Sequence, residues 1–262
     1  MPVDETGETE ALIRVGCAGL PSGLARAHYF EHVDFLEVDE AFHDPPGESA
    51  MRRWRNEAPP DAGFALMAWQ LVTHDADTPG YARLRSPLAP EVRPRVGSFR
   101  HTPEVADAWA RSVALARQLR AEVILLSTPP AFSPTQANRE ALRRFRGEVA
   151  NDHGDMAIAW EPRGLWEPAQ AAAMARELGW VYALDPLQLE TPPPDGDAAY
   201  FRLHGLGVHR NRIADDLLDV LAEMVEGYPR AWVVFANAER FADAKRFHRL
   251  LAGRVFLEDD DA

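Results

Sequence analysis

The feature that most constrains this 262-residue chain is an alternation of short β-like runs with longer helix-like stretches. Such alternation is typical of parallel βα units. Eight strands are predicted, at Ile13–Cys17, Phe35–Val38, Phe64–Trp69, Val123–Leu126, Ala157–Trp160, Val181–Leu184, Ala199–Leu203 and Trp232–Phe235. Eight strands with helical returns predict an α/β fold, a single (β/α)8 TIM-like barrel of parallel strands. An open doubly wound sheet is the alternative.

The intervals between the runs predict the helices. A hydroxyl residue before a proline is a helix start signal, and Thr102-Pro103 and Ser133-Pro134 both provide it, while Gly179 is placed to end a helix. A short helix is predicted at Leu24–Glu31. Six longer helices are predicted at Glu48–Asn56, Pro103–Leu119, Pro134–Ala150, Glu167–Leu178, Ile213–Glu226 and Arg240–Leu251.

The domain organisation follows from this pattern. The barrel is predicted to span residues 12–257, with a disordered tail at 1–11 and an acidic tail at 258–262, because both ends have few apolar anchors. Residues 75–100, after the third strand, are too many for an ordinary connection and contain several prolines and arginines. This long loop is interpreted either as a lid over a site or as a solvated excursion.

Composition excludes several classes of protein. The 28 Lys and Arg against 41 Asp and Glu give a net charge of −13, which repels a nucleic-acid backbone over most of the surface. The single cysteine cannot form an intrachain disulfide, no signal peptide is recognisable, and the apolar runs are too short to cross a bilayer. We therefore expect a cytoplasmic protein with no membrane partner and no general affinity for nucleic acid.

Chemistry is expected where the carboxyl ends of the strands converge, since sites on parallel barrels lie there. Strand alternation predicts that Glu37 and Asp39 share an inward face, and the same rule applies to the fifth and seventh strands. The candidate catalytic residues are Glu37, Glu161 and His204. The candidate ligand-binding residues are His74, Arg163, Arg202, Asn237 and Trp166, the last as an apolar wall.

Two interpretations of these charges stay open. Opposite charges in a partly dry space shift each other's pKa values, as acid–base catalysis requires. The same charges also fit a structural ion network, with Glu37 and Glu161 neutralising Arg14 and Arg202. Neither an H-E-x-x-H nor a paired-cysteine motif occurs, and Gly16-Cys17-Ala18-Gly19 lacks the dinucleotide-binding spacing, so we predict neither a metal nor a cofactor.

Seven segments, in order, carry a resemblance to a known family. They are Ile13 to Gly19, Leu36 to Phe42, Thr73-His74, Pro129 to Phe132, Glu161-Pro162-Arg163, Tyr200 to Gly205 and Phe235-Ala236-Asn237. Together they resemble the signature segments of the YecE-like proteins, the domain of unknown function 72. The resemblance covers about residues 12–251 and implies a TIM-barrel-like fold without an established activity. The chain departs from the family pattern at Asp39, Met67, Ser127 and Ala236.

Three hypotheses of function remain. The first is an enzyme that acts on a small polar or anionic metabolite, such as a sugar or phosphorylated compound, with Glu161 or Glu37 as base, His204 as acid and an arginine holding the anion. The second is a non-catalytic binding or accessory protein. The third, local nucleic-acid binding by the arginines of residues 83–100, is disfavoured by the acidic total. The sequence predicts no oligomeric state and does not decide whether the protein is catalytic.

Overall fold

The computed structural model describes residues 11–205 and 212–259. Eight parallel strands close into a barrel in sequence order, which confirms the barrel and shows that the open-sheet alternative was wrong. The tails predicted at 1–11 and 258–262 lie largely outside the described residues. The strands are β1 (Leu12–Ala18), β2 (Phe35–Val38), β3 (Gly63–Met67), β4 (Val123–Ser127), β5 (Ala157–Glu161), β6 (Val181–Leu184), β7 (Ala199–Leu203) and β8 (Arg230–Phe235).

Helices occupy the returns between the strands. Short helices or single turns follow the first three strands, and longer helices follow most of the others. They are α1 (Arg26–Phe30), α2 (Glu40–His43), α3 (Glu48–Glu57), α4 (Gln70–Thr73), α5 (Pro103–Leu119), α6 (Gln136–Glu148), α7 (Pro168–Leu178), α8 (Asp215–Glu226) and α9 (Arg240–Asp259). No helix within the described residues is long and apolar enough to span a membrane.

Most of the predicted helix signals are confirmed, and one was wrong. The Thr102 hydroxyl accepts from the Val105 N–H at the start of α5, and Gly179 takes a left-handed φ of +68° at the end of α7. The predicted start of α6 at Pro134 was wrong because the Thr135 hydroxyl caps the helix instead, accepting from the Asn138 N–H. Helix α9 continues beyond its predicted end at Leu251.

The chain separates into two compact units, one containing residues 1–36 and 183–262 and the other residues 37–182. The first unit contains a close approach at Gly16. A Cβ added there would lie 1.9 Å from the carbonyl oxygen of Phe35. Position 16 therefore requires glycine, because the obstructing atom belongs to the backbone and cannot rotate away.

Helix α1 is fixed to the same unit through Tyr29, which is fully buried. The Cys17 N–H donates to the Tyr29 hydroxyl at 2.8 Å, and the hydroxyl donates to the Phe35 carbonyl at 2.7 Å. The Tyr29 ring stacks on Phe241 of α9 with 5.4 Å between the centroids. One side chain thus connects α1 to two strands and to the last helix.

The long segment at 75–100 belongs to the second unit and is packed within it. It contains two short 3-10 turns, Pro79–Arg83 and Arg93–Arg95, and buries Tyr81, Val96 and Phe99. The Phe99 ring lies 5.3 Å from that of Phe132. The segment is therefore held by side-chain packing, which differs from the predicted alternative of a solvated excursion.

Three consecutive residues of this segment, Gly97, Ser98 and Phe99, have positive φ values of 78°, 49° and 53°. Their N–H groups donate to the carbonyls of Leu71, Thr73 and Val72, respectively, in α4. A left-handed backbone is unfavourable for residues that carry a Cβ. The three hydrogen bonds offset this cost and hold the segment against α4.

Candidate functional site

The carboxyl ends of β4 and β5 bring two polar side chains together. Ser127 and Glu161 are register partners, and the Ser127 hydroxyl donates to Glu161 Oε2 at 2.6 Å. Both residues are buried, with exposures of 4% and 5%. A carboxylate removed from water requires hydrogen bonds or an opposite charge. Ser127, noted in the sequence only as a departure from the family pattern, therefore supports the candidate base.

A second polar feature of the unit formed by residues 37–182 is His74, which follows α4. The Thr73 hydroxyl lies 2.8 Å from His74 Nδ1, and the Tyr81 hydroxyl donates to the His74 carbonyl at 2.8 Å. The ring of Phe42 meets the imidazole edge to face at 4.9 Å. A Cβ on Gly97 would lie 2.2 Å from the His74 carbonyl oxygen, so the long segment covers the histidine backbone closely.

These surroundings change the protonation of His74. Burial and, after it, the nearby charge of Arg163 lower the pKa of His74 from 6.5 to about 4, while the charges of Asp75 and Glu161 act in the opposite direction. The imidazole is therefore neutral at pH 7. The charges of Arg163 and Glu161 both act on His74, so these three predicted site residues lie near enough to interact electrostatically.

Arg163 itself is exposed, in the loop that follows β5. Within the described part of the chain it has no hydrogen-bonded or ion-paired carboxylate. The loop is fixed by Gly164, whose φ is +78° and whose added Cβ would lie 2.3 Å from the Pro130 carbonyl oxygen. An exposed guanidinium on a fixed backbone, with no carboxylate partner among the described residues, is available to an anion from solution.

A polar cleft of about 440 Å³ lies beside these residues. It is formed by the long segment on one side, including Asp75, Ser98 and Arg100, and by the loop after β4 on the other, including Phe132. Arg100 forms an ion pair with Asp75, and both residues line the cleft. The lining residues follow His74 and Ser127 in the chain, so the cleft adjoins the candidate site but is not lined by its predicted members.

The other unit holds a separate polar group at the ends of β6 and β7. The His204 N–H donates to Asp185 Oδ2 at 2.8 Å, and Gln188 donates to the same oxygen at 2.6 Å. Burial raises the pKa of Asp185. Arg202 Nη1 lies 3.4 Å from His204 Nε2, so the predicted pair of arginine and histidine is adjacent, as their shared strand face requires.

Asn237 belongs to a third group, after β8. Its amide donates to Asp243 Oδ2 at 2.7 Å, and the same oxygen accepts from the Ile213 N–H at 2.9 Å. Arg246 Nη1 donates to Asp243 Oδ1 at 2.7 Å. Asp243 is fully buried. No sequence pattern indicated its role, because its backbone partner Ile213 lies 30 residues away in the chain.

The remaining predicted residues lie as follows. Glu37 is fully buried on β2, and Asp39 directly precedes α2. Trp166 is 7% exposed, packs edge to face on Trp160 at 4.9 Å and donates to the Phe132 carbonyl. Trp160 alternates with Glu161 along β5, so Trp166 packs on the side chain of the neighbouring strand position, and its role as an apolar wall stays a prediction. Cys17 is buried, and burial raises its pKa to about 12, so it stays a thiol.

Comparison with known proteins assigns the family. The family model described as protein of unknown function DUF72 matches residues 17–260. The chain belongs to this family. The expected resemblance is confirmed over nearly the whole barrel of this DUF72 protein, and no curated protein matches its sequence.

Solved structures similar to this DUF72 protein show the same fold. A DUF72 family protein of Enterococcus faecalis V583 has a TM-score of 0.68 at 18% identity, covering 94% of this chain and 99% of its own. A DUF72 family protein of Thermotoga maritima MSB8 has a TM-score of 0.61 at 17% identity, covering 92% and 99%. A D-psicose 3-epimerase in the presence of D-fructose has a TM-score of 0.54 at 11% identity, covering 92% and 97%. At these identities the likeness concerns the fold.

Proposed function

We propose that this DUF72 protein is an enzyme that acts by acid–base chemistry on a small polar or anionic metabolite, a sugar or a phosphorylated compound. Glu161 is the proposed base. The observation that carries the proposal is the environment that Glu161 shares with His74 and Arg163: a buried carboxylate, an imidazole kept neutral at pH 7, and an exposed guanidinium.

Each of these groups has a chemical role that suits such a substrate. The Ser127 hydroxyl occupies one direction of Glu161 Oε2 and fixes the orientation of the carboxylate for proton abstraction. Neutral His74 polarises a hydroxyl or carbonyl oxygen without adding a charge that would compete with Arg163. Arg163 binds a phosphate or carboxylate through its planar fork.

In the other unit, Arg202 and His204 remain candidates for anion binding and proton donation. Arg202 Nη1 lies 3.4 Å from His204 Nε2, so the two side chains are placed to contact the same ligand. Asp185 holds the backbone of His204 and is a positioning residue.

The choice of substrate class is supported by the chemistry of the candidate residues and by the fold. Carboxylates suit proton transfer at carbon atoms next to a carbonyl, and sugars supply both hydroxyl and carbonyl groups. The D-psicose 3-epimerase has the same fold and acts on a sugar of this kind. We accordingly place sugars and sugar phosphates first in any substrate panel.

A thermal-shift screen with sugars, sugar phosphates and carboxylic acids tests the proposal, followed by product analysis for each compound that binds. We expect Arg163→Ala to reduce the shift from anionic compounds, whereas Arg144→Ala, which removes an exposed arginine of α6, leaves it unchanged. Glu161→Gln should retain binding and lose turnover. Binding that is indifferent to Arg163, or turnover that survives Glu161→Gln, refutes the roles given to these residues.

The second candidate function is a non-catalytic binding or accessory protein. It is favoured by the Asp243 group, in which Asn237 and Arg246 are engaged by a buried carboxylate and act as scaffold. It predicts that a metabolite stabilises the protein without being converted, and that His204→Ala leaves this stabilisation intact. Conversion of any bound compound by the unmodified protein refutes this second function.

A further inference from the structure

One group of metal-ligand side chains lies outside the candidate site, at the end of α1. His28, Glu31 and His32 each offer a ligand atom, and the three atoms lie within 4.8 Å of one another. The order of these residues differs from the H-E-x-x-H motif, which the sequence lacks. The segment reads His28-Tyr29-Phe30-Glu31-His32, with the glutamate before the second histidine.

The local backbone explains why the three side chains converge. Glu31, which follows the last residue of α1, keeps a helical conformation with φ −70° and ψ −12°. Residues three and four positions apart on a helix lie on the same face, so Glu31 and His32 both lie beside His28. His28 Nδ1 is 2.7 Å from Glu31 Oε2, and the two imidazole rings meet edge to face at 5.1 Å.

The rest of the protein holds this arrangement in place. Tyr29, between the ligands in sequence, points inward and is fixed by its hydrogen bonds to Cys17 and Phe35. The His32 ring packs edge to face on Phe241 at 6.0 Å. The ligand side chains stay accessible, because His28 and Glu31 have side-chain exposures of 53% and 63%. The protein packs against one side of this site and solvent reaches the other side. The site therefore loses little conformational freedom when it binds an ion.

Two imidazoles and one carboxylate match the ligand preference of Zn²⁺ and similar ions. Zinc bonds of about 2.0–2.1 Å in tetrahedral geometry place ligand atoms roughly 3.3 Å apart. His28 Nδ1 and Glu31 Oε2 need to separate by less than 1 Å to reach this spacing, starting from 2.7 Å. The exposed pair that is given up contributes little stability in water. A water molecule can occupy the fourth position on the solvent side.

We propose that His28, Glu31 and His32 form a binding site for a divalent transition metal ion of the Zn²⁺ class. The inference concerns the face of α1 and does not depend on the proposed reaction. Binding requires neutral imidazoles, so zinc affinity falls in acid.

Isothermal titration of ZnCl₂ into the full, untagged chain tests the site, with His28→Ala and His32→Ala as variants. His101→Ala is the matched control, because His101 is also exposed and is paired with one glutamate, Glu148, at 2.7 Å, with exposures of 53% for both side chains. We expect one saturable ion per chain in the unmodified protein and in the control. Each ligand variant should bind zinc at least roughly tenfold more weakly, since removing even a residue that hydrogen-bonds to a metal ligand lowers metal affinity by 10–100-fold.

Several outcomes overturn the proposal. The proposal is wrong if His32→Ala binds zinc as tightly as the unmodified protein does. It is also wrong if His101→Ala loses as much zinc affinity as the ligand variants lose, because such a loss indicates adventitious binding by surface histidines. A titration that does not saturate at millimolar zinc also overturns the proposal. Circular dichroism of each variant shows that it is folded, and Glu31→Gln, which keeps the shape of the carboxylate, should bind with intermediate affinity.

Discussion

The low pKa of His74 predicts a specific dependence of stability on pH. The folded protein keeps His74 neutral down to a pKa of about 4, whereas an unfolded chain protonates it at its ordinary value of 6.5. Below pH 6.5 the unfolded state therefore binds a proton that the folded state refuses. The penalty on folding is absent above pH 7, grows as the pH falls from 6.5 towards 4, and is constant below that.

The size of the effect follows from the two pKa values. Each pH unit between them changes the free energy of unfolding by about 1.36 kcal/mol, so a measurement at pH 5 should show a loss of about 2 kcal/mol from this one group. The His74→Gln variant cannot bind the proton. The difference in unfolding free energy between the unmodified protein and this variant should therefore fall by about 2 kcal/mol between pH 7.5 and pH 5.

Urea unfolding at the two pH values measures this difference, and NMR titration of the histidine ring protons measures the pKa directly. The variant identifies the His74 resonance by its disappearance. Groups that do not interact with His74 contribute equally to both proteins and cancel. A His74 midpoint near 6.5, or a difference that does not change with pH, contradicts the assignment of a buried neutral imidazole beside Arg163.

Three further perturbations have outcomes that the structure fixes. Asp243→Ala leaves buried donors without their acceptor, so we expect the free energy of unfolding, measured with urea, to fall by about 3–5 kcal/mol. Gly97→Ala should lower the melting temperature more than Gly154→Ala does, because both positions have positive φ but only the first has backbone within 3 Å of the added Cβ. A smaller loss in Gly97→Ala contradicts the close approach. Ser127→Ala should cost about 1–3 kcal/mol and reduce turnover, because Glu161 loses a buried donor.

The strands were predicted well because their signal is local. A run such as Phe35–Val38 or Ala199–Leu203 is bounded by polar or turn residues and agrees with the structure at both ends. Alternation along β7 then placed Arg202 and His204 on one face, where the structure finds them adjacent. Position relative to a strand end was sufficient to select these residues.

The partners of the site residues could not be predicted in the same way. The role of Ser127 depends on the register between β4 and β5, and that of Asp243 on where the chain returns after β7 and β8. The left-handed turn at residues 97–99 contains a serine and a phenylalanine, which carry no local signal for that conformation. The packing of Trp166 on Trp160 depends on how the loop after Arg163 turns, which also has no local signal in the sequence.

The anchoring of the long segment to α4 also bears on protein engineering. A designer who trims connections to make a smaller barrel would choose residues 75–100 first, since they contribute no strand. Deleting them would remove the three N–H donors that satisfy α4 and the tyrosine that holds the carbonyl of His74. A minimal version of this scaffold must therefore keep the segment, or rebuild its contacts, to preserve an imidazole in the same place.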